Sequence, residues 1–133
     1  MATGRTSGGD MEKAICRIRM KLPSLNEYTR ACRCNAYVAN DMKRTVETGI
    51  SFFLRPLPRY EVPVVIHFTW IEKDKRRDLD NVAFAKKFIL DAMVSRGIIP
   101  DDSQKWVKGF SDSFGKGTEA GVIVEVEEGG NDK

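Results

Sequence analysis

Alternating apolar and polar side chains predict four β-strands. They span residues 14–22, 62–72, 106–110 and 121–127. The second strand has the strongest pattern, because both of its sets of alternating positions are largely apolar. Val64, Ile66, Phe68 and Trp70 lie on one side, and Val65, His67 and Thr69 lie on the other. Two apolar faces are typical of a strand inside a sheet, so we expect this strand to be central and covered on both sides.

Two helices are predicted between these strands. Apolar residues recur at spacings of three and four from residue 35 to about residue 54, and Pro56 follows that helix and ends it. A second helix is predicted over residues 79–96, with Gly97 as its C-cap. The polar and basic stretch 25–33 predicts an irregular connection instead of a helix.

The order strand, helix, strand, helix, strand, strand predicts a small α/β (α+β) domain, with two main helices against a mixed β-sheet. A chain of 133 residues fits one domain. We expect that domain to cover residues 13–128, after a disordered, glycine-rich segment 1–12 and before a flexible tail 129–133. The run Gly115-Lys116-Gly117 predicts a hairpin turn between the last two strands.

Composition and charge narrow the class of protein. The chain is 41% hydrophobic and 31% charged, which is ordinary for a globular protein. No apolar run has the length of a membrane span or resembles a signal peptide, so we expect a cytoplasmic location and no membrane partner. Residues 125–133 hold four acids and one lysine, so the rest of the chain has 21 basic and 15 acidic side chains. This excess of positive charge modestly favours a polyanionic partner. Lysines on a solvated surface are an alternative that charge alone leaves equally open.

Three cysteines make a complete disulfide framework impossible. Cys32-x-Cys34 has no second cysteine pair, and His67 is the only histidine, so a zinc site would lack ligands. His67 itself is predicted to be a packed, hydrogen-bonded residue of the second strand. We therefore expect reduced thiols and no histidine-based nuclease site.

Strong positive charge stands directly beside paired carboxylates after the second strand. The basic residues are Lys73, Lys75, Arg76 and Arg77, and the acidic pair is Asp78 and Asp80. Cations can bind a polyanion, while two or three carboxylates with water and phosphate oxygens satisfy Mg²⁺. Such an ion activates water and neutralises charge on a scissile phosphate. The competing interpretation is that Asp78 or Asp80 only caps the following helix.

A second acidic pair, Asp101-Asp102, follows the predicted helix. Our hypothesis is that both pairs meet around one divalent metal at a nucleic-acid site. A helix over 79–96 would extend roughly 27 Å, so this meeting requires the next strand to bring Asp101 and Asp102 back alongside. Lys87 lies two turns after Asp80 on the same helix face and would contact phosphate or assist the leaving group; Lys86 is an alternative. An ion pair between Lys87 and Asp91 is the structural alternative.

These motifs together resemble the RusA family of Holliday junction resolvases. The resemblance rests on Arg76-Arg77-Asp78-Leu79-Asp80-Asn81, on a helix with Lys and Asp-Ala, and on Gly97 followed by apolar residues and Asp101-Asp102-Ser103-Gln104. The segment Pro23-Ser24-Leu25-Asn26-Glu27-Tyr28 is similar to a family segment after the first strand. Each motif alone is weak, but their order and spacing over residues 14–127 are specific.

The resemblance implies a Mg²⁺-dependent endonuclease, with Mn²⁺ as a substitute, that acts as a homodimer on four-way branched DNA in recombination and repair. It implies that Asp78, Asp80 and Asp102 are catalytic metal ligands with Asp101 nearby, and that Lys87 is the catalytic lysine, ahead of Lys86. Lys73, Lys75, Arg76, Arg77 and Lys86 would contact DNA. The alternatives are a catalytically silent junction-binding protein of the same fold and a phosphohydrolase of small nucleotides. The second would need a phosphate-cradling glycine loop, for which Gly115-Lys116-Gly117 is too short.

Overall fold

The computed structural model describes residues 13–73 and 79–129, except for the side chains of Asp80 and Asn81. In chain order the elements of this part are β1 (Lys13–Ile18), α1 (Leu25–Cys34), α2 (Ala36–Phe53), β2 (Val64–Glu72), α3 (Leu79–Ala83), α4 (Lys86–Ser95), β3 (Val107–Lys116) and β4 (Gly121–Glu128). The predicted α+β class, single small domain and mixed sheet are confirmed. The helix predicted over residues 35–54 is confirmed as α2, whereas the region 79–96 holds two helices instead of one. Residues 1–12 and 130–133, predicted to be flexible, lie outside the described residues.

The sheet has the strand order β1-β4-β2-β3. β2 is parallel to β3 and antiparallel to β4, so its predicted central position is confirmed. Val64, Ile66, Phe68 and Trp70 are buried, whereas the alternate residues 65, 67 and 69 are only half-buried. The prediction that β2 is covered on both sides is therefore wrong, because the hydrophobic core lies on one face of the sheet.

α1 replaces the irregular connection predicted for residues 25–33. Ser24 begins it with a capping box: its Oγ accepts a hydrogen bond from the Glu27 backbone N–H at 3.2 Å, and its own N–H donates to Glu27 Oε1 at 2.8 Å. Ala31 is buried, and the Tyr28 ring lies 5.7 Å from the rings of both Phe84 and Phe88. The prediction was wrong because the cap and these tertiary contacts outweigh the polar composition of the segment.

Replacing Ser24 by Ala should lower the free energy of unfolding by about 1 kcal/mol, because the buried hydroxyl caps α1. Urea denaturation of the native protein and Ser24→Ala measures the change. Thr45→Ala, at an exposed position inside α2, is the matched control and should change stability by less than about 0.5 kcal/mol. Equal effects of both substitutions would contradict the capping role.

The helix predicted over 79–96 is broken at Phe84 and Ala85. Short i→i+3 hydrogen bonds tighten the chain there, from the Ala85 N–H to Val82 O and from the Lys87 N–H to Phe84 O. The break lets the rings of Phe84 and Phe88 pack edge-to-face at 5.6 Å. α4 consequently measures only about 15 Å from end to end.

β3 is longer than predicted and does not form a hairpin with β4. Gly115 and Lys116 belong to β3, and β2 separates the two strands in the sheet. The connection 117–120 therefore crosses the end of β2, where the Gly117 N–H donates to Glu72 O at 3.0 Å. The predicted hairpin turn at Gly115-Lys116-Gly117 is wrong because β2, not β3, pairs with β4.

The three cysteines differ in accessibility. Cys16 is buried, whereas Cys32 and Cys34 are exposed, and all three are free thiols. Burial raises the pKa of the Cys16 thiol to about 11, so it stays protonated at neutral pH. In the described part of the chain, no helix has the length and apolar character that a bilayer span requires.

An aromatic disulfide reagent at pH 8 should modify two thiols of the native protein rapidly and the third only after unfolding, because the reactive species is an accessible thiolate. Absorbance of the released thiolate gives the count, and guanidinium chloride should reveal the Cys16 thiol. Rapid reaction of all three thiols without denaturant would show that Cys16 is not held in the core.

Candidate active site

The basic and acidic motif begins where β2 ends. Lys73 is exposed there, and α3 starts at Leu79, so Asp80 lies in the first turn of a helix. Lys75, Arg76, Arg77 and Asp78 lie outside the described residues, and the side chain of Asp80 is not described. Their predicted roles as DNA contacts and metal ligands therefore stay predictions.

A groove of about 560 Å³ lies beside the first turn of α3. Leu79, Ala83, Phe84, Lys86, Lys87, Leu90, Asp112 and Phe114 line it. Leu79 is 58% exposed. Both candidate lysines thus face the same groove as the segment that carries Asp80.

Lys86 is held by the sheet. Its Nζ lies 2.8 Å from Asp112 Oδ2, and Asp112 Oδ1 accepts a hydrogen bond from Trp70 Nε1 at 2.9 Å. The ammonium also lies 4.8 Å from the ring centroid of Phe110 and 5.5 Å from that of Phe68. Because both side chains of the ion pair are less than a third exposed, the contact fixes Lys86 and neutralises its charge.

Asp112 was not identified by the sequence analysis. A signal existed, since Phe110, Asp112 and Phe114 alternate along β3 and so lie on one face of the strand. Their register partners in β2 are Ile66, Phe68 and Trp70, which form the buried face. A carboxylate on that face needs a partner, and Lys86 is that partner.

Lys87, in contrast, is exposed at the groove. Its positive charge also acts on Glu47 of α2. Burial raises the pKa of the Glu47 carboxyl, the charge of Asp91 adds to this, and Lys43 and Lys87 oppose it. Asp91 forms an ion pair with Lys43 of α2, at 3.6 Å, instead of the ion pair with Lys87 that the sequence analysis gave as the structural alternative. Lys87 is therefore the candidate lysine whose amine is available to a substrate.

Asp101 and Asp102 follow Gly97, which ends the α4 region with a positive φ of 77°. Both are exposed, and Asp101 Oδ1 accepts a hydrogen bond from the Ser103 N–H at 2.8 Å. They lie on a second groove of about 390 Å³. Its lining residues are Lys43, Glu47, Asp91, Val94, Ser95, Asp101 and Asp102.

The second groove has the donors that a hard cation prefers, since its acidic residues offer only oxygen atoms. Glu47 Oε2 is buried and, among the described residues, has no hydrogen-bond partner. The described residues nevertheless contain no ready-made group of three His, Cys, Asp or Glu side chains that would hold a metal. The roles of Asp78, Asp80 and Asp102 as metal ligands therefore stay predictions.

The parallel pairing of β2 and β3 decides how the two acidic pairs are arranged. Val64 pairs with Val107, so Asp101 and Asp102 reach the sheet at the first residue of β2, whereas α3 follows its last residue. Asp101 and Asp102 also precede β3 instead of lying on it. The meeting of the two acidic pairs stays a prediction, because Asp78 and the side chain of Asp80 lie outside the described residues. Lys87 and Glu47 lie between the two grooves, and the short α4 limits the distance that separates them.

A family comparison covers nearly all of these elements. The family model described as endodeoxyribonuclease RusA matches residues 24–127 of the 133-residue chain. A search of curated proteins finds no match.

Proposed function

Because the chain belongs to the RusA endodeoxyribonuclease family, we propose that it resolves four-way DNA junctions by paired, symmetric nicks in the presence of Mg²⁺. The observation that carries this proposal is the family match, since residues 24–127 include both acidic pairs and both candidate lysines. Family membership makes the chain an endodeoxyribonuclease, a hydrolase of DNA. We place the activity in recombination and repair, in the cytoplasm.

Asp78, Asp80 and Asp102, with Asp101 nearby, would hold the metal ion, for which Mn²⁺ would substitute. The choice of Mg²⁺ is supported by the carboxylate oxygens around Asp101 and Asp102, since the described residues that line this groove include no cysteine or histidine. When bound, the ion polarises water and offsets the charge that develops on the scissile phosphate.

Lys87 would contact the scissile phosphate and assist departure of the leaving oxygen. Its amine is exposed on the groove that begins at Leu79, and among the described residues it makes no ion pair. A protonated amine donates hydrogen bonds to a phosphate oxygen and stabilises negative charge on the leaving oxygen. Lys86 instead supports the site by holding Asp112 and the sheet in place.

The run Lys73, Lys75, Arg76 and Arg77 would bind phosphates next to the aspartates. Affinity that rests on phosphate contacts falls steeply with salt, and it carries little base specificity. Recognition would therefore depend on the branched shape of the junction and on its deformability.

A homodimer follows from the symmetry of the reaction. Resolution needs two nicks, and each chain carries residues for one site. A two-fold dimer supplies both sites in an arrangement that matches the pseudo-symmetry of the junction.

Nicking of a synthetic four-way junction tests the proposal, with a linear duplex of the same arm sequences as the control. Each is incubated with and without Mg²⁺, and strand-specific labels locate the cuts. We expect Mg²⁺-dependent cuts in the junction only, at symmetric positions on two opposing strands. Tight junction binding without cleavage under Mg²⁺ or Mn²⁺ would identify a silent junction-binding protein instead.

A further inference from the structure

A cleft of about 400 Å³ lies at the end of the sheet, outside both grooves described above. It lies between the end of β1 and the connection from β3 to β4. Its lining residues are Arg17, Ile18, Arg19, Ile71 and the residues from Gly117 to Val122. Two guanidinium groups thus face one strand connection across an open cleft.

Close packing fixes the wall of this cleft. A Cβ atom on Gly121 would lie 2.7 Å from the Ile18 carbonyl oxygen, and one on Gly117 would lie 2.6 Å from Ile71 Cγ2. Only glycine allows the connection to approach β1 and β2 this closely. The Gly117 N–H also donates to Glu72 O, so the connection is held at both of its ends.

The charges around the cleft are mainly positive. Arg17 and Arg19 are exposed, and within residues 13–73 and 79–129 neither forms an ion pair. Lys73 and Lys116 are exposed at the same end of the sheet, since Lys116 is the register partner of Glu72. The opposing carboxylates are Glu119, which lines the cleft, and Glu72. Free guanidinium groups with this surplus of positive charge favour binding of phosphate groups.

The cleft shares its end of the sheet with the candidate catalytic motif. β2 ends at Glu72, and Lys73 opens the segment that leads to Asp80 and α3. A DNA strand that is cut at Asp78 and Asp80 continues beyond the scissile phosphate into a duplex arm. Cations at this edge of the sheet would contact the phosphates of that arm. We propose that the cleft binds the phosphodiester backbone of a junction arm through Arg17 and Arg19. This inference rests on the proposed function, because that function supplies the DNA.

Binding of a fluorescent four-way junction over a series of salt concentrations, with EDTA present to prevent cleavage, tests the inference. For Arg17→Gln/Arg19→Gln we expect at least about tenfold weaker binding near 0.1 M salt. The slope of log K against log [salt] should become shallower by about 4, because the proposed homodimer loses four phosphate contacts and each lost contact changes the slope by about 0.9. Arg17→Lys/Arg19→Lys keeps both charges and should retain most of the native slope.

Arg33→Gln/Arg59→Gln is the matched control, since it removes the same charge from exposed positions on α1 and before β2. It should bind within about twofold of the native protein with nearly the native slope. If native protein binds and cuts junctions but the cleft variant behaves like this control, the inference is wrong and the proposed function stands. If native protein neither binds nor cuts junctions, the proposed function fails and the inference fails with it.

Discussion

Replacing Asp80 by Asn should reduce the rate of junction nicking by on the order of 10³-fold while junction binding stays within a few-fold of native. The change removes one negative charge from the proposed metal site but keeps the size of the side chain. Stabilisation by a bound metal is worth several kcal/mol, and each 1.4 kcal/mol is a tenfold change in rate. Binding should persist because it depends on cations, and loss of a carboxylate reduces repulsion of phosphate. Single-turnover nicking and equilibrium binding measure the two effects separately.

Asp41→Asn is the control for this prediction. Asp41 is an exposed residue of α2 that pairs with Arg44 of the same helix, at 3.6 Å. The control variant should cut at the native rate, since such an exposed pair contributes little. Loss of binding together with cutting in Asp80→Asn would contradict the metal-ligand role and indicate damage to the fold.

Replacing Lys87 should mainly affect catalysis, whereas replacing Lys86 should mainly affect stability. Lys87→Met should lower the nicking rate on the order of 100-fold with little change in stability, because its side chain is exposed and makes no ion pair within the described part of the chain. Lys86→Met should instead lower the free energy of unfolding by about 1–2 kcal/mol, because it leaves Asp112 without its cation on a half-buried surface. Urea denaturation and single-turnover nicking, applied to both variants, separate the roles.

The double variant Lys86→Met/Asp112→Asn sharpens this comparison. Removing both charges should restore part of the stability that Lys86→Met loses, which gives a non-additive double-mutant cycle. Asn keeps an oxygen that can accept the Trp70 Nε1 hydrogen bond. Additive effects would mean that the 2.8 Å ion pair does not stabilise the protein, and a slow Lys86→Met enzyme of native stability would make Lys86 the catalytic lysine.

The parts of the fold that follow from one strong local pattern were predicted well. β2 has apolar residues on a strict two-residue period, and α2 carries a continuous stripe that includes the buried Val46 and Ile50. Burial of those residues provides most of the free energy that fixes both elements. The pattern could not reveal which face of the sheet stays open, since Val65 and Thr69 suit half-buried positions as well as buried ones.

Elements set by contacts between distant residues were missed. α1 depends on the Ser24 cap and on packing of Tyr28 against Phe84, a residue far along the chain. The same aromatic contacts accompany the break between α3 and α4, which has no proline or glycine to announce it. The placement of β4 between β1 and β2 likewise depends on long-range pairing, which a glycine-rich connection cannot specify.

The candidate site was predicted in its composition more than in its arrangement. Sequence reasoning placed Lys87 ahead of Lys86, because of its two-turn spacing from Asp80 and the family resemblance, and left Lys86 as an alternative. The partner that separates them, Asp112, lies on β3, and only the sheet register brings it to Lys86. Asp101 and Asp102 were identified as one exposed acidic pair, but their companions Glu47 and Asp91 could be found only from the packing of α2 against α4.

Cleavage of a supercoiled plasmid that extrudes a cruciform tests the central claim most directly. Two coordinated nicks across the junction convert this plasmid straight to linear DNA, whereas independent nicks first accumulate open circles. We predict Mg²⁺-dependent linear product with cuts at the base of the cruciform, and no product from the same plasmid without the inverted repeat. Equal cleavage of both plasmids, or no cleavage of either while the cruciform is bound, would contradict the assignment of a junction-resolving endonuclease.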